Sequence, residues 1–158
     1  MQRMLLRWGG IAIAVIVTVV LLLLIQAVPY GRDHSNPPVR QEPPWDSPKT
    51  RALAAGACFD CHSNQTRWPW YSNIAPASWL IQHDVSAGRD KVNFSEWDRP
   101  QEESDELAEQ VEENKMPPTY YRWFHSEARL SSAEREALIR WFETMFGQGE
   151  AGEGEDEH

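Results

Sequence analysis

The chain has 158 residues, 41% of them apolar, a formal net charge of −9 and two cysteines, which is room for one domain with appendages and too little for a large multidomain enzyme. Two cysteines exclude a disulfide-rich scaffold and a four-cysteine zinc site, and the acidic balance argues against nucleic acid as a partner, since its phosphates attract basic proteins. A mean hydropathy of −0.58 conceals two unlike parts.

Trp8 to Val28 is a run of 21 residues without a charge. As a helix rising about 1.5 Å per residue it covers about 31 Å, close to the hydrocarbon thickness of a bilayer. A cleaved signal peptide would have a shorter apolar region and a clearer small-x-small site than Ile25-Gln26-Ala27, so 8–28 is expected to be an uncleaved transmembrane anchor. Arg3 and Arg7 mark residues 1–7 as cytoplasmic, which sends the rest of the chain to the outer side. Residues 29–45 carry five prolines and read as an extended linker. Residues 147–158 hold five acidic residues and four glycines and read as a disordered acidic tail. Seven more acidic residues fall within 101–114, so the remaining chain is slightly basic. The folded part is then 46–146, an ordinary domain size.

Within it, Asp46-Ser47-Pro48 predicts a helix start that leads toward Cys58. A second helix is expected from Ala75-Pro76-Ala77-Ser78, with Gly88 as its stop. A third opens at Ser104-Asp105-Glu106-Leu107 and ends before Met116-Pro117-Pro118. Ser131 or Ser132 caps a fourth, in which Leu138, Trp141, Phe142 and Met145 make a buried stripe. No stretch alternates at strand period, so the domain is expected to be all-α.

Both cysteines lie in Cys58-Phe59-Asp60-Cys61-His62, the attachment pattern of c-type haem. The spacing lets two sulfurs reach the two vinyl groups of one porphyrin while the next imidazole holds iron from one face. Thioether attachment takes place outside the cytoplasm, in agreement with the predicted export. Zinc would need a fourth ligand, and His83 and His125 are isolated in sequence. A thioredoxin-like dithiol would need a βαβ setting, and a plain disulfide leaves His62 without a role.

A second axial ligand is commonly methionine in electron carriers. Met1 and Met4 precede the anchor, and Met145 belongs to the apolar stripe, which leaves Met116 in the stiff Lys115-Met116-Pro117-Pro118 loop. Ligation by His83 or His125 is the alternative.

The Cys-x-x-Cys-His motif, the Met-Pro loop and the C-terminal amphipathic helix together resemble the cytochrome c superfamily. More closely, the chain is similar to small bacterial haem-binding domain proteins. That likeness rests also on Ser63-Asn64, Trp68-Pro69-Trp70-Tyr71, Ile74-Ala75-Pro76, Trp79, Gly88-Arg89, Asn93 to Trp97, Tyr120, His125 and Leu130-Ser131, and covers about 30–146. The resemblance implies a cytochrome c-like helical domain around one covalent haem c, with His62 proximal and Met116 distal to the iron. Seven of the eight tryptophans lie in this domain and are expected to pack the porphyrin, with Arg67, Arg89 and Tyr71 as candidates for its propionates.

The expected function is a membrane-anchored monohaem cytochrome that passes single electrons to and from redox partner proteins. Its haem domain would lie in the periplasm, outside a bacterial inner membrane. A haem-based sensor, or a haem-bearing subunit of a larger membrane complex, is the alternative. Neither a nucleophile–base pair nor a second haem motif is present, so a substrate-converting enzyme is not expected.

Overall fold

The computed structural model describes residues 2–101, 104 and 106–146. The acidic tail expected at 147–158 lies outside the described residues, as do three positions of the acidic stretch. Among the described residues the fold is all-helical: α1 (Gln2–Ile25), α2 (Pro48–Ala57), α3 (Phe59–His62), α4 (Ala77–Lys91), α5 (Leu107–Glu112), α6 (Thr119–Phe124) and α7 (Ser132–Phe146), with short 3-10 turns at Trp70–Asn73 and Ser126–Ala128. The only β-type pairing among these residues is one parallel bridge between Gln41 and Glu96. By length and composition α1 is apolar enough to cross a membrane, its Trp8–Ile25 segment having a hydropathy of 2.8 and no buried residue.

The chain divides into two compact units, Met1–His34 with Trp68–His83, and Ser35–Arg67 with the chain from Asp84 onward. In the first, Gln26 follows directly on α1. Its side-chain amide donates to the carbonyls of Leu22 (3.0 Å) and Ala75 (2.9 Å) and accepts from the Ala75 N–H at 2.9 Å. Gly31, at φ +82°, leaves only 2.3 Å between an added Cβ and the Ser78 carbonyl oxygen, so neither its backbone angle nor its surroundings admit a side chain. His34 stacks on Trp68 at 4.5 Å and meets the Ser72 carbonyl through Nε2 at 3.1 Å.

The second unit contains the hydrophobic core. Ser47 caps α2, its Oγ accepting from the Thr50 N–H at 3.1 Å, and Pro48 occupies the first turn, where its missing N–H costs nothing. Ser131 and Glu134 close a capping box on α7: the Ser131 N–H donates to Glu134 Oε2 (2.8 Å), and Ser131 Oγ accepts from the Glu134 N–H (3.4 Å). Ser131 is thus the cap, and Ser132 the first helical residue. Leu138, Trp141 and Phe142 are buried on α7, packed with Ala54, Phe59, Val92, Phe94 and Val111, while Met145 lies at the edge of this cluster. Trp45 stacks on Trp141 at 4.3 Å, and Phe94 lies 5.7 Å from Phe59 and 5.8 Å from Trp97. Burying an aromatic ring of this size stabilises by about 1.5–3 kcal/mol.

Residues 35–45 run extended against this core. Asn36 donates to the Thr66 carbonyl (2.9 Å), Pro38 accepts from Asn64 (3.2 Å), and the Arg40 and Gln41 N–H groups both donate to the Ser95 carbonyl. Glu42 receives two hydrogen bonds of 2.6 Å from Arg51 on α2. One expectation needs correction: α4 does not stop at Gly88 but runs through it to Lys91.

Candidate functional site

The helical path bends where α2 hands over to α3. Cys58 ends α2 with φ −123° and ψ −34°, its N–H still bonded to the Ala54 carbonyl at 2.8 Å. Its own carbonyl then accepts from the N–H groups of Cys61 (3.2 Å) and His62 (2.9 Å). Residues three and four apart on a helical turn share a face, so this turn presents Cys58, Cys61 and His62 together. All three line a cleft of about 320 Å³ in the second unit. Its remaining walls come from α4 (Asp84, Ala87, Gly88, Lys91), from Val92 and Phe94, from α5 (Leu107, Gln110, Val111), from Met116-Pro117-Pro118, from Tyr120 and Tyr121 on α6, and from Phe142.

The His62 ring is oriented by the backbone. Its Nδ1 lies 3.2 Å from the Val92 carbonyl oxygen, which can only accept, so Nδ1 carries the proton and Nε2 is the lone-pair nitrogen. A carbonyl partner of this kind fixes the tautomer and rotation of metal-ligating histidines. The Phe94 N–H donates to the His62 carbonyl at 2.8 Å, so the same strand of chain holds the residue twice. Gly88 lets α4 lie directly on this turn: a Cβ there would sit 2.6 Å from the Cys61 carbonyl oxygen.

Between the two cysteines, buried Asp60 ties the turn to its surroundings. Its carboxylate accepts from the Arg67 N–H (2.9 Å), from Arg67 Nε (3.1 Å) and Nη2 (3.0 Å), and from the Tyr121 hydroxyl (2.6 Å). Burial, and then the bond to Asp60, keep the Tyr121 phenol protonated well above its ordinary range. Beyond the turn, the Asn64 N–H donates to Ser95 Oγ (2.9 Å), the Asn64 side chain donates to Glu96 (3.0 Å), and Asn93 donates to Asn64 Oδ1 (2.9 Å).

Met116 reaches the cleft from the other end of the sequence. Its N–H donates to the Gln110 carbonyl at 3.0 Å, Asn114 adopts φ 59° to turn the chain out of α5, and the Met116–Pro117 bond is cis. Met116 is 38% exposed, while Pro117 is buried.

Both cysteines are free, and burial pushes each thiol up to about 12, so neither is an activated thiolate of the dithiol-exchange kind. Among the described residues no three His, Cys, Asp or Glu side chains converge to hold a metal ion. His125 stacks on Tyr121 at 3.9 Å and bonds the Tyr121 carbonyl through Nδ1 at 3.1 Å, and is not part of the cleft lining. His83 is exposed and belongs to the first unit. The cleft therefore brings two thiols, one oriented imidazole and one thioether to a largely apolar wall, with Asp84, Lys91, Glu106 and Gln110 also in its lining. It suits an iron porphyrin and does not suit a bare divalent ion.

The sequence matches the family described as haem-binding domain over residues 20–144. The chain belongs to this family. No curated protein and no solved structure matches it.

The haem-binding domain departs from the sequence reading in how its aromatic residues are used. No tryptophan lines the cleft; Phe94, Phe142, Tyr120 and Tyr121 do. Trp45, Trp97 and Trp141 stand behind Phe94, Phe59 and Phe142 as a second layer, Trp68 covers His34, and Trp70 and Trp123 are exposed. Arg67 is committed to Asp60 and Glu127, and Arg89 to Ser63, Ser35, Asn36 and Thr66, so neither guanidinium lines the cleft. Its basic residue is Lys91, followed directly by Val92, and proximity in sequence to the His62 partner was the signal available. Asp60 and Gly88 also shape the site without a local signal in the sequence: the partners of Asp60 lie at Arg67 and Tyr121, and a glycine near a helix end reads as a stop.

Proposed function

We propose that this haem-binding protein is a membrane-anchored c-type cytochrome with one covalent haem, passing single electrons on the periplasmic side of a bacterial inner membrane. The observation that carries the reading is that Cys58, Cys61, His62 and Met116, drawn from segments more than fifty positions apart, line one largely apolar cleft. Cys58 and Cys61 would hold the porphyrin through thioethers, each S–H adding across a vinyl double bond with its hydrogen going to the neighbouring carbon, which would need no external oxidant. Bound haem supplies an iron that cycles between two oxidation states one electron apart.

The chain's own residues do the rest. His62 offers Nε2 to iron because Val92 occupies Nδ1. Met116 offers a thioether, a ligand that favours the reduced iron and raises the potential. Phe94, Phe142 and Val111 keep water from the apolar faces of the ring. Asp60 and Gly88 position the cysteine turn. His62 and Met116 together would hold the iron from two sides and leave little access for a substrate, which supports a carrier. The α1 helix holds the protein in the membrane, with Arg3 and Arg7 on the cytoplasmic side. Redox partner proteins then meet the haem-bearing unit outside.

The test is spectroscopic, on full-length protein purified from membranes. One haem that stays with the chain on acid–acetone extraction and gives a c-type pyridine haemochrome is expected. So is a methionine–iron charge-transfer band that Met116→Ala removes. Rapid carbon monoxide binding by the unaltered protein would overturn the carrier in favour of a gas sensor, a reading that the exposure of Met116 keeps in play.

A further inference from the structure

Residues 68–83 read Trp-Pro-Trp-Tyr-Ser-Asn-Ile-Ala-Pro-Ala-Ser-Trp-Leu-Ile-Gln-His, 16 positions without Asp, Glu, Lys or Arg, bracketed by Arg67 and Asp84. Outside the apolar N-terminal stretch no segment runs as long without a charge, in a chain that is 25% charged. Three tryptophans, one tyrosine and neutral polar residues are the composition of a membrane–water interface, where amphipathic rings sit among headgroups.

The fold joins this segment to the end of the apolar helix. Ile25 is the last residue of α1, and Gln26, next in sequence, bonds both the N–H and the carbonyl of Ala75 at 2.9 Å. Ile74 and Ala75 therefore lie at the level where α1 leaves the apolar layer. Gly31 packs on the backbone of Ser78 and His34 on Trp68, so the chain just past the helix is fastened to the segment at both its ends. The side chains that this arrangement turns outward are bulky and apolar: Trp70 is 77% exposed, Ile74 46% and Leu80 49%, with Val28 and Tyr30 exposed in the same unit. Exposed apolar surface of this kind marks an interaction site, and here it belongs to the same unit as the apolar helix α1.

Resting on the reading of α1 as a membrane anchor, we propose that residues 68–83 form an interfacial plate, seated in the headgroup layer where α1 emerges, with Trp70 and Ile74 inserted toward the acyl chains. The occupant of this face is the lipid surface itself. The uncharged run is then explained, because a charge there would have to be carried into a poorly hydrated layer.

The experiment uses the full-length protein in nanodiscs of phosphatidylcholine and phosphatidylglycerol. Photoreactive benzoylphenylalanine replaces Trp70 or Ile74, with Ile16 in α1 as the lipid reference and Phe124, 74% exposed in the other unit, as the water reference. Trp70 and Ile74 are exposed enough to accept the probe without disturbing the core. Lipid adducts at 70 and 74 are expected at about fivefold or more the level at 124, given the partitioning of aromatic side chains to the interface. Adducts at 16 with only the Phe124 level at 70 and 74, or adducts there to protein in place of lipid, overturn the plate and leave the anchor standing. No lipid adduct at 16 overturns the anchor.

Discussion

At Gly88 the absent side chain sets how closely α4 approaches the cysteine turn. A methyl group would lie 2.6 Å from the Cys61 carbonyl oxygen and 3.0 Å from its carbon, both backbone atoms that cannot swing aside. Gly88→Ala is therefore expected to push α4 off the turn at a cost of about 1–3 kcal/mol, the usual range for overpacking. Chemical denaturation should show a lowered midpoint, and haem per chain should fall with it; an unchanged midpoint would mean that the turn has room to move. Asp60 is the complementary case, a residue whose side chain organises the same turn. Asp60→Asn removes a charged acceptor from four hydrogen bonds and is expected to cost about 2 kcal/mol, the worth of a hydrogen bond to a charged group. Tyr121 loses its carboxylate partner in that variant, so its phenol should ionise at lower pH than in the unaltered protein, which ultraviolet titration would detect. Neither role can be read from sequence: at Gly88 the cause is a neighbour twenty-seven positions away, and at Asp60 the partners come from Arg67 and from a helix sixty positions on.

The elements differ in how openly the sequence announces them. Ser47-Pro48 and Ser131 with Glu134 are local capping signals, complete within four residues, and α2 and α7 start where those signals stand. The stripe Leu138, Trp141, Phe142 is equally local, because helical period alone defines it. Six residues of α6 and four of α3 are too few to show a period, and the Tyr121 hydroxyl, bonded to Asp60 on α3, ties one to the other. A large cofactor needs aromatic cover, which the tryptophan count suggests, but composition cannot distinguish a first layer of rings from a second. Proline count likewise says that 35–45 is extended and not what it lies against. There the decisive residue is Glu42, which receives both Arg51 bonds, a Trp45 indole N–H at 2.9 Å and the Gln65 amide at 3.3 Å. The Arg51 hydrogen bond, ahead of the others, holds its carboxyl below the ordinary 4.5. A carboxyl more acidic in the folded than the unfolded state stabilises above the unfolded value, and loses that contribution as pH falls from about 4.5 through the lower folded value. Glu42→Gln should therefore lower the stability read from urea unfolding at neutral pH by about 1 kcal/mol for a partly exposed charged pair, and the gap between the two proteins should narrow as pH falls below about 4.5. A gap that does not narrow in acid would point to packing of Glu42 and not to its charge.

Taken whole, the molecule assigns its two chemistries to two compact units. Every residue that lines the cleft falls in 35–67 or from 84 onward, whereas the apolar helix and the uncharged segment 68–83 share the other unit. The partition has a covalent peculiarity, since 68–83 is an insertion in the sequence of the unit that holds the cleft yet finds its hydrogen-bond partner in Gln26, forty-nine positions upstream. Removing residues 1–28 tests whether the units are energetically separate. The truncated chain loses the amide that satisfies both polar groups of Ala75, which is buried at 3% exposure, and an unsatisfied buried polar group costs about 1–3 kcal/mol. Segment 68–83 should then exchange its amide hydrogens faster than in the full chain, while Phe94, Val111, Leu138 and Phe142 keep their protection because none of their core partners lies in the first unit. Gln26→Ala in the full chain should reproduce the same local loss with the helix still present, separating the amide from the anchor. With the truncated chain exported behind a cleavable signal sequence in place of α1, haem binding should survive both changes, since the cysteine turn, His62, Met116 and the phenylalanine wall are untouched. Loss of haem on truncation would show instead that the segment beside α1 supports the cleft, and that the two units fold as one.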